Sequence, residues 1–231
     1  MPADLARSAG IGAPRAGADG ANLAAVKPDS GWHRLPSRLE ADQLVVDDHY
    51  KVMKRWETPL MQRMAEILLA NLERTRIIEV GFGMGISAGA LQDQKIERHT
   101  IIEPHPEMFE RLQQWRAERP QADIRPVHDY WQNQAGLFAE ADGIFFDTYA
   151  EDVPALVDEN VSFLVEAASH LKPGAAVALF WILPTIDEVQ QEKLYSHYRR
   201  IVIERVPVEP GTTGVNALAR LGFLLAIIAI K

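Results

Sequence analysis

The sequence predicts an α/β fold: a seven-stranded, mostly parallel sheet with helices on both faces and an N-terminal helical lid. Three observations lead there. Short apolar strands alternate with amphipathic helices from Arg76 onward, which is the pattern of a mostly parallel sheet. A glycine-rich turn, Gly81-Phe82-Gly83-Met84-Gly85, sits where the first strand passes into the first helix. A glutamate, Glu103, ends the second strand, where ligands of open α/β sheets bind.

The elements follow in order. Residues 1–31, rich in Ala, Gly and Pro, read as a mobile arm, and residues 32–231 as one domain. Within that domain, 32–72 form a lid and a helix. From Arg34 to Leu72 the spacing reads as helical, with Leu60, Met64, Ile67 and Leu68 on one face. Thr58-Pro59 reads as the helix start, Thr58 as cap and Pro59 in the first turn. Arg76–Val80 is the first strand, and a helix runs from the glycine turn to about Gln94. His99–Pro104 is the second strand, and Glu107–Arg119 a helix with Met108, Leu112 and Trp115 on one side. Asp123–Asp129 and Asp142–Asp147 are the third and fourth strands. A helix over Val157–Leu171 stops at Lys172-Pro173-Gly174. Ala175–Trp181 is the fifth strand, with a helix from about Thr185 to Tyr198. Ile201–Val208 and Gly222–Ile230 are the last two strands. No helix separates them, so an antiparallel final pair is expected.

Composition narrows the function. The chain has 231 residues, 47% hydrophobic and 24% charged, an ordinary globular balance. Its net charge of -8 argues against nucleic acid and anionic membrane surfaces as partners. With no cysteine, thiolate catalysis and Cys-ligated metal sites are excluded, and a cytoplasmic location is expected. The seven histidines show no metal-site spacing, and no metal is assigned. The apolar run Leu221–Ile230 is about half of the roughly 20 residues a spanning helix needs, and reads as a buried strand. No secretory leader is visible at the start.

The glycine turn lets a ligand approach the backbone closely. Glu103 can accept both hydroxyls of a ribose. The dinucleotide pattern needs glycine at position 86, which is Ile86, and the phosphate-loop pattern is absent. A G-x-G-x-G turn, with Glu79 before it and Glu103 after, suits S-adenosylmethionine, which has a ribose and an adenine but no phosphate. Gly85-Ile86-Ser87-Ala88-Gly89 also spells the nucleophile elbow of α/β-hydrolases, with Asp147 and His170 or His197 available as partners. An elbow serine belongs directly after its strand, and Ser87 lies seven residues past Val80. Asp147 ends the fourth strand and faces the crevice. Glu57 precedes a helix start, where the helix dipole favours a carboxylate.

Several stretches together resemble guanidinoacetate N-methyltransferase and its relatives among arginine N-methyltransferases. They are Val52-Met53, Arg55-Trp56-Glu57-Thr58-Pro59, Glu79 to Met84, Ile101-Ile102-Glu103, Phe109 with Arg111-Leu112-Gln113 and Trp115, and Asp147-Thr148-Tyr149. The resemblance runs from about residue 41 to Gly174. It implies a Rossmann-like class I methyltransferase fold, S-adenosylmethionine as cofactor, and a small guanidino substrate such as guanidinoacetate or arginine. Carried over by motif, Glu57 and Asp147 hold the guanidinium. Trp32, Met53, Met61, Glu79, the loop Gly81 to Ser87 with Met84, Gly85 and Ile86, Glu103, Pro104, Asp129, Tyr130, Trp131 and Asp147 contact the cofactor. Tyr149, Ile182 and Leu183 join Glu57 and Asp147 around the substrate. Asp129 stands where the family carries glycine, and an acid there can accept a hydrogen bond from the adenine amino group. Trp181-Ile182-Leu183-Pro184 replaces a polar family segment, so the substrate beyond its guanidine differs from guanidinoacetate.

The chemistry fits two acids. A guanidinium titrates at roughly 12.5–13.8, so a neutral guanidine at pH 7 costs about 8 kcal/mol. The charged form has no nucleophilic lone pair. The site must pair the cation and then take a proton as the methyl moves, Asp147 acting as acceptor. Residues 34–53 and the arm are expected to close over the substrate. Two other readings stay open: methylation of arginine within a protein, and a non-catalytic S-adenosylmethionine-binding scaffold. Whether the chain acts as a monomer or a homodimer is open.

Overall fold

The computed structural model describes residues 31, 34–48, 50–149, 153–181, 186–208 and 221–231. These belong to one unit, Gly31–Lys231. A first group of elements is β1 (Ser37–Leu39), β2 (Gln43–Val46), β3 (Tyr50–Lys54) and α1 (Thr58–Ala70). Then come β4 (Arg76–Val80), α2 (Ile86–Asp93), β5 (Arg98–Ile102), α3 (Pro106–Ala117), β6 (Ile124–Val127) and β7 (Gly143–Phe146). Last are α4 (Val153–His170), β8 (Ala176–Trp181), α5 (Glu188–His197), β9 (Arg200–Pro207) and β10 (Phe223–Ile230). Among the described residues, no helix is long and apolar enough to cross a membrane.

The main sheet has the order β6-β5-β4-β7-β8-β10-β9. β10 runs antiparallel to both β8 and β9, so it alone opposes the other six strands. The expected α/β sheet and its antiparallel last strand are both present. Strand order reverses between β4 and β7, which opens a crevice beyond their carboxyl ends. Successive side chains of a strand point to opposite faces, and β7 shows which helices cover which face. A Cβ on Gly143 would meet Leu72 and Leu68, at the far end of α1, at 2.7 and 3.4 Å. Phe146, of opposite parity, stacks on Phe163 of α4 at 3.7 Å. Helices therefore lie on both faces. This is why β7, β8 and β10 are almost wholly buried and read as unbroken apolar runs.

The segment before α1 departs from the helical reading. Ser37–Lys54 forms three antiparallel strands, with pairs such as Leu39↔Leu44 and Leu44↔Met53. The β-branched and aromatic residues Val45, Val46, Tyr50 and Val52 favour strands. Asp47 and Asp48, at φ 52° and 51°, turn the chain between β2 and β3. Leu44, Val46 and Met53 bury one face of this small sheet together with Met108 of α3. Helix begins only at Thr58, so its cap is Glu57 rather than Thr58. The Thr58 hydroxyl instead donates to the Arg55 carbonyl at 2.6 Å. α5 starts at Glu188 on a capping box, in which Asp187 and Gln190 exchange side-chain-to-backbone bonds of 2.8 and 2.9 Å.

At the amino ends of the strands, Asp142 accepts from the Arg76 backbone N–H and its Nε at 3.0 and 2.9 Å, and from Lys172. Burial opposes its ionisation, but the bonds from Arg76 and Lys172 outweigh that and hold it well below the usual carboxylate range. At the carboxyl ends, Gly81 N–H donates to Ile102 O at 2.9 Å and Asp147 N–H to Val80 O at 3.1 Å. Gly81 has φ +89°, and a Cβ there would sit 2.2 Å from the Asp147 carbonyl oxygen. Gly81→Ala is therefore expected to destabilise the fold by about 2–4 kcal/mol, read as a lower urea midpoint. A change within about 0.5 kcal/mol would mean that the Asp147 loop yields freely.

Candidate active site

The glycine turn is bracketed by the small sheet above and a buried polar group below. Met53 of β3 lies against it: its Sδ accepts the Met84 N–H at 3.3 Å, and a Cβ on Gly83 would approach that sulfur to 3.1 Å. Phe82 turns inward and packs edge-to-face on Trp115 at 5.7 Å. Beneath the turn, Glu79, Ser87 and His99 are completely buried. The Ser87 hydroxyl donates to Glu79 Oε1. His99 Nε2 lies 2.9 Å from Glu79 Oε2, off the line of a ring N–H, so the contact is electrostatic rather than an aligned hydrogen bond. Gln92 Nε2 lies 3.1 Å from His99 Nδ1. Ser87 is thus held by an acid inside α2, and the hydrolase reading has no nucleophile.

Glu103 is buried at the end of β5. It accepts the Phe82 and His105 N–H groups at 2.8 and 2.7 Å. Burial raises its pKa, partly offset by those N–H donors. A carboxylate has about four acceptor sites, so Glu103 keeps acceptor capacity for a ribose hydroxyl beside its backbone donors, and the turn and acid fit a ribosyl cofactor. His105 caps α3, accepting from Glu107 N–H at 3.2 Å, and its Nε2 reaches the Leu35 carbonyl at 3.0 Å. The half-buried Pro104 presents its carbonyl to His128 Nε2 at 3.2 Å. Asp129 is bonded by Asn133, Gln134 and the Tyr130 N–H at 2.7–2.8 Å. The first two of these donors do most to hold its pKa down. It thereby closes the turn at Trp131–Asn133. Trp131 is buried, edge-on to Phe146 and Phe163, and its Nε1 donates to Glu159 of α4 at 3.1 Å.

Asp147 follows β7 and Glu57 precedes α1, near enough for the charge of Glu57 to act on Asp147. Burial, then the charges of Glu57 and Glu79, push Asp147 well above the ordinary carboxylate range. Burial pushes Glu57 up to about 7, against a weak pull from the Lys54 backbone N–H and the Lys54 charge. That N–H lies 3.4 Å from Glu57 Oε2. Among the described residues, Asp147 Oδ2 and Thr148 Oγ1 are buried with no hydrogen-bond partner, as is Trp56 Nε1. Asp142 and Asp147 flank the same strand. The first is matched by two cations, whereas Asp147 faces further carboxylates. A cation of planar, multiple N–H donors is the ligand such a pair accepts.

The structure brings Glu57, Asp147, Glu79, Glu103 and the glycine turn to one edge of the sheet. Met61 is fully buried in the core face of α1, and Glu79 lies beneath the turn rather than at its surface. Trp32, Ile182 and Leu183 fall outside the described residues. Sequence reasoning missed the contacts that seat the small sheet. Ser37 donates through its N–H and hydroxyl to Glu107 Oε2 at 2.7 and 2.6 Å. Tyr50 meets Tyr149 edge-on at 6.2 Å. The Tyr50–Val52 alternation was the available signal. His99, a polar residue opening an apolar strand, was the signal for the partner of Glu79.

Comparison with known proteins follows this geometry. The guanidinoacetate N-methyltransferase family matches residues 32–207. Protein arginine N-methyltransferase 2 of Gibberella zeae is 36% identical over 138 residues, covering 53% of this chain and 31% of that protein. Its namesake in Eremothecium gossypii is 33% identical over 163 residues, covering 65% of this chain and 36% of that protein. The chain thus spans about a third of the length of these curated relatives. Among solved structures, spermidine synthase from Thermotoga maritima has a TM-score of 0.59 at 14% identity, covering 85% of this chain and 72% of that one. Precorrin-6y C5,15-methyltransferase from Geobacter metallireducens has 0.54 at 13%, covering 80% and 95%. These likenesses show a Rossmann-like methyltransferase fold.

The burial of the Glu57 carboxylate has a cost. Glu57 binds its proton at about 7 when folded, against an ordinary value of 4.5. Between those values the folded chain holds more protons than the unfolded one, so stability is full below about 4.5 and falls as pH rises to about 7. Glu57→Gln is expected to match the parent near the lower pH and to exceed it at pH 8 by on the order of 2–3 kcal/mol. Urea denaturation at the two pH values checks this, and an equal offset at both would refute it.

Proposed function

We propose that this chain, which belongs to the guanidinoacetate N-methyltransferase family, is an S-adenosylmethionine-dependent N-methyltransferase acting on a guanidino group. One observation carries the reading: Asp147 Oδ2 at the crevice is buried and, among the described residues, has no hydrogen-bond partner, while the nearby charges of Glu57 and Glu79 add to burial in raising its pKa. A non-catalytic scaffold has no use for that arrangement.

When bound, S-adenosylmethionine supplies an electrophilic methyl group on a positively charged sulfur and leaves as S-adenosylhomocysteine. Glu103, the turn from Gly81 to Ser87, Met53 and the Asp129–Trp131 segment are the residues proposed to hold it. Trp131 would act there through its buried ring as a wall, with Asp129 as the polar group beside it. Glu57 and Asp147 bind the guanidinium as a planar fork and orient one nitrogen toward the cofactor. As that nitrogen takes the methyl carbon it releases a proton, and Asp147 Oδ2, buried and unpaired, is the acceptor. The low-dielectric surroundings that raise the proton affinity of Asp147 make it a competent base toward an acidifying nitrogen. The small sheet over the turn excludes water through Met53 and Tyr50.

The guanidine is that of a small compound in the first reading. The second reading, arginine within a protein, is favoured by the names of the relatives, which are called protein arginine N-methyltransferase 2.

Asp147→Asn is expected to leave cofactor affinity within about threefold while lowering turnover about 10²–10⁴-fold. Isothermal titration and a mass-spectrometric methyl-transfer assay read the two quantities. Turnover near that of the parent would remove Asp147 from the proton transfer.

A further inference from the structure

We propose that His105 and Glu107 are positioning residues for the methyl transfer: they fasten the first strand of the small sheet to α3, and so hold Met53 and Tyr50 over the crevice. The inference rests on the methyltransferase reading and adds to it two residues that act through the small sheet rather than on the substrate.

The small sheet needs fastening. Among the described residues, its strands of three, four and five residues pair only with one another and not with the seven-stranded sheet. Three short strands hold only where one face packs on something larger. β3 is tied to the glycine turn through Met53. β1, at the opposite edge, is tied to α3, and three successive residues make that tie. The Leu35 carbonyl faces His105 Nε2 at 3.0 Å, and a carbonyl can only accept. The Pro36 carbonyl accepts the Asp47 N–H at 2.9 Å, which joins it to the turn between β2 and β3. The Ser37 N–H and hydroxyl both donate to Glu107 Oε2, at 2.7 and 2.6 Å. Residues 35–37 thus send bonds alternately to α3 and to the rest of the small sheet.

The fastening shares its parts with the proposed cofactor region. His105 is buried, and its backbone N–H donates to Glu103 Oε1 at 2.7 Å. Its Nδ1 accepts the Glu107 N–H at 3.2 Å and so caps α3. One residue therefore joins the acid proposed to hold the ribose, the start of α3 and the chain entering β1. Glu107 stands in the first turn of α3, where the helix dipole favours a carboxylate. Bonds to a charged acceptor are the stronger kind, and the Ser37 donors hold the Glu107 pKa below its ordinary value. Met108, the next residue, packs with Leu44, Val46 and Met53. At the other edge of the sheet, Met53 lies on the glycine turn, and Tyr50 meets Tyr149, two residues past Asp147. β1 and β3 are two strand spacings apart, roughly 10 Å. The small sheet is a short span fixed at both edges. With the β1 edge freed, the span pivots about β3, and Met53 and Tyr50 lose their fixed places.

The test uses the full chain and four variants. Glu107→Ala removes the acceptor of both Ser37 donors. Glu107→Gln keeps an acceptor oxygen without the charge. Ser37→Ala removes one donor, and His105→Phe removes the bond to Leu35. Thermal melting checks that each is folded; if His105→Phe is not, the Glu107 and Ser37 variants decide. Titration with S-adenosylhomocysteine gives cofactor affinity. The methyl-transfer assay with arginine and guanidinoacetate gives kcat and KM, and amide hydrogen exchange reads β1 to β3. Glu107→Ala is expected to weaken cofactor binding and to raise the guanidine KM, each about three- to tenfold, with kcat within about twofold of the parent. Exchange should quicken in β1 to β3 and stay slow in β4 and β7. Glu107→Gln is expected to recover most of both affinities, with Ser37→Ala between the two. Unchanged affinities beside faster exchange in β1 to β3 would mean a purely structural tie and overturn the proposal. A Glu107→Gln variant as impaired as Glu107→Ala would overturn it too. If the parent binds the cofactor but methylates no guanidine, the guanidino reading falls, and the cofactor affinities of the variants still decide the fastening. A parent that binds no cofactor would overturn both.

Discussion

One strand carries an aspartate at each end, and the difference between them organises the molecule. Asp142 is answered by Arg76 and Lys172, which pin β4, β7 and the turn before β8 together. Asp147 is answered by Glu57 and Glu79, charges of its own sign. The first end of the sheet is a clamp and the second is a demand for a ligand. At that second end the parallel pairing of β7 with β4 and β8 fixes the backbone, and Asp147 Oδ2 is buried.

The glycine turn and the small sheet depend on that rigid edge. Gly81 passes so close to the Asp147 carbonyl that the turn after β4 and the loop after β7 are packed directly together. Glu103 ties the same turn to the end of β5, and Met53 ties it to β3. The cofactor region, the acid pair and the covering sheet are thus mechanically joined at three neighbouring strand ends.

Much of this was legible in the chain itself. Alternating apolar runs marked the seven strands, because strands buried on both faces must be apolar throughout. Glu103, Asp147 and the glycines were legible because a strand end in a parallel sheet fixes position without knowledge of packing. Residues 37–54 were misread, since short strands with few residues in each pair carry little period-two signal, and the strong helix of α1 extended its pattern backward. Partners far apart in sequence were not legible at all. Arg63 and Glu204 are separated by 141 residues, and no local pattern joins them. The same holds for Ser37 with Glu107 and for Glu79 with His99. Sequence located the acids, but it did not say which acids have counter-ions, and that is the fact on which function turns.

That division also explains how substrate choice can change while the chemistry stays. In the proposed reading, Glu57 and Asp147 bind the planar cation that every guanidine presents in the same form. Nothing in their geometry reads what the guanidine is attached to. Discrimination must come from surfaces farther along the same edge. Substitutions there leave the carboxylate pair untouched, so substrate range can drift at little expense to turnover.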